Sequence, residues 1–101
     1  MLVRASSGSG GGGGAISNYD FLYRSSNISM SFTLAIDATK TYYIKIETAR
    51  VNDSYVKLHI ENGTLTEDER HIVTDSITYT YQDGVISCTA SYYVGYYAFV
   101  Y

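Results

Sequence analysis

Two histidines, one cysteine and ten carboxylates are the side chains of this chain best suited to proton transfer, nucleophilic attack or metal ligation. Their spacing brings little together. His59 and His71 stand 12 residues apart, with no partner at zinc-ligand spacing. His59 falls on the polar side of an alternating run and His71 follows charged residues, so both are expected to be exposed. TEDER, Thr66 to Arg70, groups Glu67, Asp68 and Glu69 but lacks the spaced acidic ligands and bend glycine of a calcium loop. It is expected to be a charged loop between two short strands, with a single capped helical turn as the alternative. No serine occupies a G-x-S-x-G elbow. Cys88 is alone, so no intrachain disulfide can form, and it is expected to be a small buried hydrophobe. The chain therefore offers no catalytic set, no metal site and no cofactor site, and is not expected to be an enzyme.

Three N-x-S/T sequons begin at Asn27, Asn52 and Asn62. Asparagine, serine and threonine also concentrate in turns, where they bond their own backbone. Residues 1–8 carry one charge and no apolar stretch, unlike a secretory signal. Turn chemistry is the preferred explanation of the sequons.

Tyrosine is the residue in excess, with 12 copies and no tryptophan. Its apolar ring and polar tip suit both strands and interfaces. Tyr43, Tyr55, Tyr93 and Tyr97 lie opposite the aliphatic or small-residue side of their runs, and Tyr101 ends the chain. These five are candidate interface residues, for a neighbouring subunit or for stacking on a sugar ring.

The elements that would position them repeat with period two. Ile28, Met30, Phe32, Leu34 and Ile36 alternate with small polar residues, which predicts a half-buried strand. Tyr42, Ile44 and Ile46 form a second such face, and Val56, Leu58 and Ile60 a third. Ile77, Tyr79 and Tyr81 give another, followed by Ile86, Cys88, Ala90 and Tyr92. Asn62-Gly63 and Asp83-Gly84 predict hairpin turns with positive φ. The last run, YYVGYYAFVY, is apolar on both faces and should be a central strand or lie at an interface.

About six to eight antiparallel strands at this spacing predict an all-β fold: an antiparallel β-sandwich, jelly-roll-like, with a small barrel as runner-up. Residues 1–17 form a flexible Gly/Ser-rich N-terminal arm with five consecutive glycines, Gly10, Gly11, Gly12, Gly13 and Gly14. Residues 18–101 form the single β-domain. The arm lacks the Lys-Ser/Thr of a phosphate loop. An assembly arm, a tether and an engineered linker are the readings left for it, and the glycines join the candidate interface residues.

Proline is absent and the net charge is −3. The seven basic residues are scattered, which argues against nucleic-acid binding. No apolar run approaches about 18 residues, so no membrane span is expected.

A short Gly/Ser arm, ASSGSGGGGGAIS, followed by one compact tyrosine-rich β-domain without catalytic residues, resembles small tailed-phage structural proteins of the head-decoration, head-fibre or tail-associated kind. That resemblance implies a virion location, many symmetric copies, and protein partners: a homo-oligomer or capsid and tail subunits. The alternative is a carbohydrate-binding or adhesive module that uses outward tyrosines.

Overall fold

Alternation of apolar and polar residues builds an all-β chain, as the sequence predicts. The computed structural model describes residues 23–50 and 54–101, and for 23 and 24 the backbone only. These contain a two-residue strand, β1 (Tyr23–Arg24), and six longer ones: β2 (Ser29–Ala35), β3 (Tyr42–Thr48), β4 (Tyr55–Glu61), β5 (Thr64–His71), β6 (Ile77–Gln82) and β7 (Val85–Val100). No helix occurs among the described residues.

All pairings are antiparallel and β7 is their hub. Both predicted hairpin turns form. Asn62 and Gly63 have φ of 53° and 75°, Asp83 and Gly84 of 52° and 74°, as a type I′ turn requires at both central residues. The two runs at the C-terminus fuse into one 16-residue strand. Along one side of β7 lie β1, opposite Tyr97 and Ala98, and β2, opposite Val85 to Thr89. On the other side β6 pairs with the N-terminal half, Val85 to Ala90, and β3 with the C-terminal half, Val94 to Val100. The order then continues from β3 to β4 to β5. The terminal run is thus a central strand, which satisfies its two-sided apolarity.

Even-numbered residues of β7 (Ile86, Cys88, Ala90, Val94, Tyr96 and Ala98) join Ile44, Ile46, Val56, Leu58, Ile60 and Ile77 in one core. The sheet therefore folds over itself, because strands from both of its halves share that core. Burial pushes the Cys88 thiol up to about 12, as desolvation of a thiolate demands.

Where β6 and β3 diverge, β7 passes through Ser91 to Tyr93, and a polar cluster occupies the divide. Asp75, almost fully buried, accepts from Arg50 Nε at 3.0 Å and from Ser91 Oγ at 3.4 Å. Buried Ser54 accepts from the Val73 and Asp75 amides at 2.8 and 3.2 Å. The Arg50 guanidinium lies 3.7 Å from the Tyr92 ring centre. Backbone donors freed by the divergence find partners here, with Ala49 N donating to Tyr93 O and Ser76 N to Ser91 Oγ.

A seam of side chains joins β5 to β6, which share no backbone ladder. Arg70 grips Glu67 through Nε and Nη2 at 3.0 and 2.9 Å and donates from Nη1 to Ile77 O. Tyr79 donates to Glu67 and Tyr81 to Gly63 O, both at 2.9 Å. The Arg70 hydrogen bonds hold the Glu67 carboxyl below its usual range.

Two expectations need correction. TEDER is neither loop nor helix; it lies inside β5. A β-bulge sits there, since Lys57 faces Glu69 while Leu58 faces Glu67, leaving Asp68 as the extra residue. The run from Ile28 to Ile36 is not buried throughout. Ile28 is 80% exposed and Met30 also lies open, while Phe32, Leu34 and Ile36 are partly buried against the core. The register of β2 on β7 shifts between Ser29 and Ser31, so the first apolar residues slide off the core face. Asn27, which heads one sequon, has its amide oxygen buried close to Gly95 of β7.

Two outcomes are expected. A Cβ added at Gly95 would lie 2.1 Å from Asn27 Oδ1 and 2.8 Å from Ser25 Oγ, the atom that accepts the Tyr96 amide. Gly95→Ala should destabilise by about 1–3 kcal/mol in chemical denaturation, and by clearly less in an Asn27→Ala background. Equal costs in the two backgrounds would refute this packing. The Cys88 thiol should resist alkylation in the native protein at pH 8 and react only as the protein unfolds; labelling at the rate of a free thiol without denaturant would contradict its burial.

Candidate interaction surface on the outer face

The core takes the even-numbered side chains of β3, β4 and the C-terminal half of β7, so the odd-numbered ones form an opposite face. Cross-strand register sets them side by side. Tyr97 lies opposite Lys45 and Phe99 opposite Tyr43; Tyr43 lies opposite His59, Lys45 opposite Lys57, and Glu47 opposite Tyr55. On β5, Glu69 and His71 continue the rows from Lys57 and Tyr55.

This face interleaves rings with paired charges. Tyr43 stacks on His59 with centres 5.6 Å apart, and Tyr101 packs against Tyr43 at 6.1 Å and Phe99 at 5.0 Å. Tyr43 and Phe99 are buried, at 8% and 1% exposure, although neither points into the main core. Burial, with Tyr101 beside it, holds the Tyr43 phenol above its ordinary range. Lys45 bridges to Glu47 at 3.0 Å and lies 4.8 Å from the Tyr55 ring centre. Tyr97 donates to Glu47 at 3.2 Å.

The bulge places two more groups here. Asp68 bonds His59 Nδ1 at 2.7 Å. Glu69 meets Lys57 at 3.6 Å and accepts the Tyr55 hydroxyl. That hydroxyl bond, helped by Lys57, holds the Glu69 carboxyl below its usual range and raises the Tyr55 phenol. His59 is therefore half-buried and paired, where the sequence suggested an exposed side chain. The Asp68–His59 and Glu69–Tyr55 pairs were not legible in the sequence, because nothing in TEDER announces a bulge.

Four of the candidate tyrosines, Tyr43, Tyr55, Tyr97 and Tyr101, thus share one neighbourhood. Tyr93 lies on the same side of β7 near the divide, packed on Tyr92 at 5.1 Å. Tyr93 and Tyr101 are the open ones, at 46% and 45% exposure. Tyr55 and Tyr97 are half-buried. Gly10, Gly11, Gly12, Gly13 and Gly14 lie outside the described residues, as does the Asn52 sequon. Among the described residues, no group of three or more His, Cys, Asp or Glu is placed to hold a metal, and no helix is long and apolar enough to cross a membrane.

The Tyr55–Glu69 bond gives a direct measurement. In Tyr55→Phe, the Glu69 carboxyl should titrate higher than in the wild type when followed by NMR, because its strongest stabilising donor is gone. Lys57→Met should raise it less. An unchanged Glu69 titration in Tyr55→Phe would show that the pair does not persist in solution.

Compared with known proteins, the chain matches no family model, no curated protein and no solved structure.

Proposed function

We propose that this chain is a non-enzymatic structural subunit of a larger assembly, acting through protein contacts of its N-terminal arm and its tyrosine-rich β-domain. The fold is taken as a sandwich-like wrap of one sheet about β7. The observation that carries the reading is the outer face, where half-open Tyr93 and Tyr101 border rows of rings and internally paired charges. Aromatic rings rimmed by satisfied polar groups are what protein interfaces select. Charges already neutralised by neighbours offer little to a polyanion. The proposal extends to a phage virion component on the format of the sequence, arm followed by domain.

The same two open rings favour a second reading, a carbohydrate-binding surface, because a tyrosine face can stack on a sugar ring.

Native mass measurement of the full chain and of a form lacking residues 1–17 separates the readings. An oligomer that becomes smaller without the arm supports the assembly subunit. A strict monomer, indifferent to the deletion and retaining no protein partner, overturns it. Saturable glycan binding, lost in Tyr93→Ala and Tyr101→Ala, would establish the second reading instead.

A further inference from the structure

The hydrogen-bonding edges of this sheet are treated unequally. At β5 the bulge turns Asp68 out of the ladder, and the Glu67–Arg70 pair reaches inward to β6. Bulges and inward charges are the usual protections of an exposed edge. β2 carries no charge, and its register shift, between Ser29 and Ser31, lies at its start and leaves Ser31 to Ala35 in regular register. Among the described residues it pairs with β7 alone. Between Arg24 and Asp37 the chain contains no charge, no proline and no glycine.

The direction of its free backbone groups follows from register. Ile36 N donates to Gly84 O at 2.7 Å. Alternation along an antiparallel ladder then turns the main-chain groups of Leu34 and Phe32 toward β7, and those of Ala35, Thr33 and Ser31 away from it. The Ser31 amide meets only the Ser29 hydroxyl, at a long 3.3 Å. The side chains of Ser29, Ser31, Thr33 and Ala35 are exposed, and Ile28 and Met30 lie open beside them.

We infer that β2 is a self-association edge, which pairs antiparallel with β2 of a second copy about a two-fold axis at or beside Thr33. The occupant follows from two features. An edge whose outward groups are donors and acceptors in alternation is complementary to itself when reversed. Pairing also brings the open Ile28 and Met30 of each copy to the edge of the other's sheet, reducing exposed apolar surface. The inference deepens the assembly reading and rests on it.

The test uses the full chain. Light scattering and native mass measurement at about 100 µM should give a multiple of the 11.2 kDa chain. The double variant Ser31→Lys, Thr33→Lys sets like charges opposite one another on exposed positions. It should lower the mass by a factor of two, with unchanged circular dichroism. The counterpart Ser31→Glu, Thr33→Glu should do the same, and mixing the two should restore association as a mixed pair. A lost fold cannot mimic that rescue. A Lys variant that keeps the native mass overturns the β2 edge while leaving the assembly reading standing. A native chain that is monomeric throughout overturns the β2 edge, and the assembly reading falls with it only if no protein partner is captured.

Discussion

Everything in this fold hangs on β7 being hydrogen-bonded on both sides over most of 16 residues. A strand of that length cannot keep the same two neighbours when its sheet twists. It retains β1 and β2 along one side and exchanges β6 for β3 along the other. The exchange defines the architecture: one set of even-numbered side chains meets strands from both halves, so a single sheet encloses a core without a second sheet being supplied. The exchange also leaves backbone groups without ladder partners near Ser91. The Arg50–Asp75–Ser54 cluster answers that need, and its composition follows from it: a nearly buried carboxylate must be paired and hydrogen-bonded, or burial would cost several kcal/mol.

β5 shows how one extra residue redistributes chemistry. Upstream of the bulge, Leu65 and Glu67 take the core side with Ile60 and Leu58 opposite them; downstream, Arg70 takes it opposite Val56. Glu67 and Arg70 therefore meet each other and Tyr79 at the seam, while Asp68 and Glu69 turn to His59, Tyr55 and Lys57. The bulge thus both closes the seam and charges the outer face.

The sequence revealed those elements whose side chains keep a strict period of two and whose turns demand positive φ. Ile86 to Ala98, Ile44 to Ile46 and Val56 to Ile60 follow that rule, and the two-sided apolarity of the last run correctly announced a central strand. TEDER was illegible because the bulge breaks its parity: the core-side residues 65, 67 and 70 match neither a strand nor a helix. Ile28 and Met30 misled for the opposite reason. Their alternation is faultless, but alternation specifies only which side a residue takes, and the core ends before it reaches them. Tyr43 and Phe99 likewise sit on the face that alternation assigns to the exterior, yet both are buried, because aromatic neighbours on adjacent strands cover part of one another.

The two faces and two edges differ in what they expose. Here His59, Glu69, Lys45, Glu47 and Glu67 are each engaged by a neighbour, and the partners are supplied by cross-strand register rather than by convergence of loops on a cavity. What lies open is of another kind: the partly exposed rings of Tyr93 and Tyr101, the apolar side chains of Ile28 and Met30, and the outward side of β2. Rings, methyls and backbone amides recognise shape and strand geometry, which is why the partner proposed for β2 is a second copy of the same sheet.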